Sequence, residues 1–142
     1  MIRRTFVQLV LASTIFALGA PAAVAEPATK PGVVIQVSDG DLKTWNQALN
    51  VIKNIQSEYG ADEVDVELVV FGMGSGMLKF DSLVANRIDE TLASGAKVSM
   101  CQNTMKGQKL TEADMHPKIG YVKAGVVEII EKGRQGWSVV RP

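Results

Sequence analysis

The chain is poor in the residues that build most recognisable sites. Its 142 residues hold one cysteine and one histidine. A single cysteine rules out an internal disulfide framework and a cysteine-rich zinc site. A single histidine rules out a multi-histidine metal centre. An excess of one charge is also lacking, since 15 Lys and Arg stand against 15 Asp and Glu. Without a cationic excess nothing drives counterion release, so no nucleic-acid partner is expected. No apolar run reaches the roughly 20 residues that span a bilayer. What remains is a globular composition, 46% hydrophobic and 21% charged, in a length that suits one domain.

The start of the chain reads as an address. Arg3 and Arg4 open it, Phe6 to Leu18 is mostly apolar, and Gly19 and Pro21 break that run. Ala23-Val24-Ala25 then fits the small-x-small cleavage rule. Residues 1–25 are expected to be a cleaved secretory signal, which sends the protein to the periplasm or outside the cell. No membrane insertion is expected after cleavage. Residues 26–32 contain Pro27 and Pro31 and are expected to be a flexible lead-in to one domain over residues 33–142.

Within that domain strand and helix signals alternate. Val33 to Val37 is an apolar run that predicts a buried strand. Leu42, Trp45, Leu49, Ile52, Ile55 and Tyr59 recur at helical spacing and predict one apolar stripe, capped by Asp39 or Asp41 and ended by Gly60. Val64 to Phe71 predicts a second strand, with Asp65 and Glu67 alternating with apolar neighbours. Met77 to Leu92 predicts a helix with Leu83, Val84, Ile88 and Leu92 inward. Lys97 to Cys101 predicts a third strand, Asn103 to Lys109 a short helix, and Thr111 to Asp114 a capped turn. Ile119 to Val122 predicts a fourth strand, Val126 to Arg134 a helix through Val126, Val127, Ile129 and Ile130, and Trp137 to Arg141 a last strand. The alternation predicts a single three-layer α/β domain with a mostly parallel sheet of about five strands.

In an open parallel sheet, ligands sit beyond the carboxyl ends of the strands. That rule selects Ser38-Asp39-Gly40-Asp41, Gly72 to Gly76, and Cys101-Gln102-Asn103-Thr104. Cys101 carries the most chemistry. It ends a strand just before a helix N-terminus, where unpaired N–H groups favour a thiolate. Asn103 can cap that helix beside the sulfur, and Lys106 and Lys109 can add positive potential. Gly72, Gly74 and Gly76 resemble a phosphate-cradling loop only weakly, lacking the G-x-G-x-x-G spacing and the P-loop lysine. They suit a tight turn, or a wall and anion cradle around the sulfur. A second reading makes Cys101 a small packed hydrophobe in a non-catalytic ligand-binding or assembly module. A third offers Cu(I) soft ligands from Met73, Met77, Met100, Met105, Met115, Cys101 and His116. Apart from that alternative, no metal or cofactor is expected. His116 precedes Pro117 and is expected at the surface.

The segment Met100-Cys101-Gln102-Asn103-Thr104-Met105-Lys106, the turn from Asp114 to Pro117, the run Gly125-Val126-Val127-Glu128-Ile129-Ile130 and the ending Gly136-Trp137-Ser138-Val139-Val140-Arg141-Pro142 together resemble the DsrE/DsrF-like sulfur-relay family. The likeness is to the branch whose third strand ends in Cys-x-Asn-Thr. It covers about residues 33–142 and is strongest from residue 96 onward. It implies a compact α/β domain, homo-oligomers often built on trimers, and sulfur carried as a persulfide on the cysteine after the third strand, where Cys101 stands. The family's relay complexes are cytoplasmic, whereas this chain carries an export signal. The expectation is therefore a periplasmic persulfide carrier or sulfurtransferase-like protein, exchanging sulfur with a donor or acceptor protein.

Overall fold

In the computed structural model, which describes residues 29–142, five strands form one sheet. They are β1 (Gly32–Val37), β2 (Asp65–Val70), β3 (Lys97–Cys101), β4 (Gly120–Val122) and β5 (Ser138–Val140). Their order is β4-β3-β2-β1-β5, and every pairing is parallel. The expected signal, residues 1–25, lies outside the described residues. Four α-helices connect the strands: α1 (Leu42–Tyr59), α2 (Ala85–Ala93), α3 (Gln102–Gly107) and α4 (Gly125–Arg134). No helix among the described residues is long and apolar enough to cross a membrane.

The pleat divides the core. Val33, Ile35 and Val37 of β1, Val66, Leu68 and Val70 of β2, and Val98 and Met100 of β3 pack with α1 and α2 in the large cluster. Val34 and Val69 face the other way and meet Ile129 of α4, with Phe71, Val122 and Trp137 around them. The result is the expected three-layer α/β arrangement. The two outer layers differ greatly in mass, because α4 alone covers the second face among the described residues.

Local chemistry explains most boundaries. The Asp41 side chain accepts the Thr44 N–H at 2.9 Å and starts α1, and Gly60 ends it at φ +93°, a conformation open to glycine. Leu42 and Tyr59 are exposed at the two ends of the stripe that buries Leu49 and Ile52. The lead-in is tied down at its end. Gly32 belongs to β1, Pro31 O accepts the Asp65 N–H at 2.9 Å, and a Cβ on Gly32 would overlap the Trp137 ring.

The expected helix from Met77 to Leu92 is shorter. Gly72–Leu78 forms a 3-10 segment and α2 begins only at Ala85. Tertiary pairing overrides the helical spacing here. Lys79 bridges Met115, the Phe80 N–H donates to Asp114 O, and the His116 N–H donates to Leu78 O. Val84 and Ile88 are buried as expected, but Leu83 precedes the helix and is 83% exposed. In α4 only Ile129 turns inward; Val126, Val127 and Ile130 stay exposed.

Candidate functional site

Because every strand runs the same way, the loops after β1, β2 and β3 share one edge of the sheet, joined by the Lys123–Ala124 link after β4. Strand order then decides which of them meet Cys101. β4 pairs with β3, and Cys101 stands opposite Val122. β2 separates β1 from β3, so Ser38 and Asp39 lie about 10 Å away across the sheet. Asp39 is occupied elsewhere: its Oδ2 receives Arg141 at 3.2 Å, and its carbonyl accepts the Trp45 indole N–H at 2.8 Å.

Alternation along β3 sends Met100 into the large core and Cys101 to the α4 face. There the thiol is 5% exposed, so it lies beneath the surface, not at an open rim. It stands at the N-cap position of α3 without its side chain closing a capping bond. Burial by itself pushes the Cys101 thiol up. The Gly125 N–H, the Thr104 hydroxyl and N–H, and the Asn103 N–H oppose it, and the net pKa falls below the ordinary value. The weakest of these is Asn103, whose N–H already donates to Lys123 O at 3.2 Å.

Gly125 is the strongest of these opposing groups, and the sequence reading missed it. It opens α4, whose N-cap residue Ala124 makes no side-chain capping bond. The first N–H groups of that helix are therefore left for another acceptor. A Cβ at position 125 would stand 3.2 Å from Phe71 and 3.3 Å from Val69. Glycine thus lets the helix N-terminus lie close against β2. The short helix α3 supplies the other groups that lower the thiol pKa, so the starts of two helices lie near one sulfur.

The glycine segment acts as a buttress. Thr104 Oγ1 accepts the Gly72 N–H at 2.9 Å, Gln108 Nε2 donates to Gly72 O at 2.9 Å, and Ser75 Oγ donates to Gln108 Oε1 at 2.6 Å. Gly74 gives its N–H to Phe71 O, and a Cβ there would stand 2.8 Å from Val37 O. A Cβ on Gly76 would press the Trp45 ring at 3.0 Å. Gly74 and Gly76 therefore serve close packing, as the tight-turn reading of this segment expects. Lys106 lies exposed in the last turn of α3, at the far end from Cys101. The lysine beside the site is Lys123. With Asn103, Val122, Ala124, Val127 and Glu128 it lines a concavity of about 340 Å³.

The remaining candidates stand apart. Met77, Met100, Met105 and Met115 are all members of the large core cluster, while Met73 is exposed. Among the described residues no group of three His, Cys, Asp or Glu side chains stands together to hold a metal. His116 is 4% exposed, not at the surface as expected, with Nε2 3.5 Å from Asp89 Oδ1. A further concavity of about 180 Å³ lies between α1 and α2 on the opposite face. Of its polar groups, Gln56 pairs with Ser94, and Arg87 reaches out to Asn46 and Asn50.

Glu67 departs most from the sequence reading. Alternation placed it with the polar residues of β2, yet it is fully buried. Its Oε1 accepts Ser99 Oγ at 2.7 Å and meets Lys97 Nζ at 3.2 Å. Its Oε2 faces Lys132 Nζ at 3.1 Å, an ionic contact without an aligned hydrogen bond. Burial pushes the carboxyl up, but Ser99, Lys132 and Lys97 outweigh it and hold its pKa low.

Comparison with models of known protein families finds no match, and comparison with curated proteins finds none. Among solved structures, the chain is similar to MTH1491, a protein of unknown function from Methanobacterium thermoautotrophicum, at 23% identity over 79% of this chain and 99% of that one, with a TM-score of 0.75. BT1422, a conserved protein of unknown function from Bacteroides thetaiotaomicron, matches at 15% identity over 82% and 100%, with a TM-score of 0.67. The ychN protein from E. coli matches at 10% identity over 80% and 99%, with a TM-score of 0.63. The likeness runs over nearly the whole of each neighbour, and what it establishes is a shared fold.

Proposed function

We propose that the protein is an exported member of the DsrE/DsrF-like family that carries sulfur as a persulfide on Cys101. The observation that carries this reading is the lone thiol at the start of α3, paired across from Val122 shortly before the start of α4 and flanked by Asn103 and Val122 of the concavity. The Cys-Gln-Asn-Thr run at the end of β3 and the shared fold support the family reading, and the signal-like residues 1–25 support export.

The thiolate of Cys101 attacks the outer sulfur of a persulfide donor, R–S–SH. A bond forms from Sγ to that sulfur, the donor S–S bond breaks, and the inner sulfur leaves with R as the thiolate R–S⁻. No external oxidant or reductant is required. The dipoles of Gly125, Thr104 and Asn103 favour the attacking anion and the persulfide anion that follows. Lys123 and Glu128 place one charge of each sign at the concavity. The test is intact mass spectrometry after incubation with polysulfide or thiosulfate. A gain of one sulfur atom, about 32 Da, on the wild type and none on Cys101→Ser supports carriage; no gain from any donor overturns it.

We also propose that copies of the chain assemble through α4. Val126, Val127 and Ile130 are each more than half exposed, and Val139 of β5 extends the patch past Gly133. Val127 also lines the concavity, so a second copy seated there would cover that concavity. Sedimentation of the wild type as an oligomer, and of Val126→Glu/Ile130→Glu as a monomer, is the expected result; a monomeric wild type contradicts it.

A further inference from the structure

The first turn of α4 lies over the seam of β2 and β3 beside Cys101, with Gly125 against Phe71 and Val69, Val69 opposite Ser99 and Val122 opposite Cys101, yet the helix has little apolar purchase on the sheet. Of its apolar side chains only Ile129 is buried. Its two other attachments stand about two turns apart, roughly 10 Å along the axis. One is Gly125 against Phe71 and Val69. The other is Lys132, whose ammonium meets Glu67 Oε2 at 3.1 Å and lies 4.0 Å over the Trp137 ring. Glu67 needs that partner, because its Oε2 is buried without any hydrogen-bond donor. Lys97 and Ser99 serve Oε1, and Glu128 is a weaker rival for Lys132 at 3.8 Å. Lys97, Ser99 and Cys101 follow one another on the same face of β3. The clamp and the thiol therefore share one rigid surface, and α4 bridges them.

We propose that the buried Glu67–Lys132 ion pair is the anchor that aims the N-terminus of α4 at the Cys101 sulfur, so that Glu67 and Lys132 are positioning residues for its thiolate. Without the clamp the helix pivots about Ile129, and the Gly125 N–H leaves the sulfur. This inference rests on the site reading for the acidified thiol and is independent of what the sulfur carries.

The test follows thiolate ultraviolet absorbance against pH, with Cys101→Ser as the blank. Lys132→Met is expected to raise the thiol midpoint by about half a pH unit or more, a threefold or larger loss of thiolate near neutrality. The double variant Glu67→Gln/Lys132→Met leaves no stranded charge and is expected to show the same rise while folding more readily. Lys132→Arg should restore most of the wild-type midpoint. Ile52→Val, which loosens the opposite core, should lower stability and leave the midpoint in place. An unmoved midpoint in both clamp variants, or an equal rise in Ile52→Val, overturns the positioning role. An ordinary midpoint in the wild type removes the acidified site and this role together. A low midpoint with no sulfur uptake removes carriage alone.

Discussion

Thr104 Oγ1 accepts the Gly72 N–H at 2.9 Å, and its one proton is thereby freed to face Cys101. A single hydroxyl thus ties the glycine turn after β2 to the thiol after β3. Gln108 repeats the tie from the other end of α3, donating to Gly72 O. The α3 N-terminus is held against the sulfur by the loop that the sequence suggested as an anion cradle.

Thr104→Val keeps the side-chain shape and removes the bond to Gly72 together with the hydroxyl that lowers the thiol pKa. The thiol pKa is expected to rise, and alkylation near neutral pH to slow by about threefold to tenfold. Thr104→Ser should stay near the wild type. Pseudo-first-order alkylation rates across a pH series check both, and equal rates for Thr104→Val and the wild type would show that the hydroxyl does not act on the sulfur.

Gly125→Ala inserts a methyl group 3.2 Å from Phe71 and 3.3 Å from Val69. Overpacking of that kind is expected to cost about 1–3 kcal/mol and to lift the α4 N-terminus off the thiol. A lowered denaturation midpoint together with a raised thiol midpoint is the expected pair of results. A stability loss without a thiol shift would separate packing from electrostatics.

Glu67 and Cys101, two of the acids held below their ordinary values, give a pH dependence with a definite sign. The folded carboxyl of Glu67 titrates below its ordinary value of 4.5, so its contribution to stability is full above that value and is lost as pH falls through the folded pKa. The Cys101 thiol behaves likewise against its ordinary value of 9.0. Urea denaturation of Glu67→Gln is expected to lose the Glu67 share of the stability decline below about pH 4.5, leaving the shares of Asp41, Asp89 and Asp114 in place. Identical acid limbs would remove Glu67 as the responsible group.

Copper binding through methionine is expected to fail. Met100 and Cys101 project to opposite faces of β3, and four of the methionines fill the core behind the sheet. Anaerobic Cu(I) titration should give the same affinity for the wild type, Met77→Leu and Met100→Leu, since these swaps keep volume at a cost below about 1.5 kcal/mol. A weakened site in either variant would return the methionines to the chemistry.

The fold was largely legible in the sequence because each main element has its own local signal. Val33 to Val37 is apolar, α1 has an aspartate cap and a terminal glycine, and Lys97 to Cys101 ends in a motif. The cysteine and its neighbour Thr104 were legible for the same reason. Gly125, Lys123 and Glu67 were not, because they acquire meaning only from strand order. That β4 lies beside β3, and that one helix covers the second face, follows from crossovers no local pattern records. The apolar spacing in α4 was misleading for a related reason: Val126, Val127 and Ile130 find no cover within the described chain. Leu83 was misread because the Lys79–Met115 bridge holds its segment out of helical form.

The central claim is that Cys101, though 5% exposed, is reachable and ionises below the ordinary thiol value. Alkylation of the folded protein by a small reagent such as iodoacetamide, followed by intact mass across pH, tests it most directly. Stoichiometric modification with a midpoint clearly below 9.0 is the expected result. A thiol that resists modification until the chain is unfolded, or that titrates at the ordinary value, would contradict it.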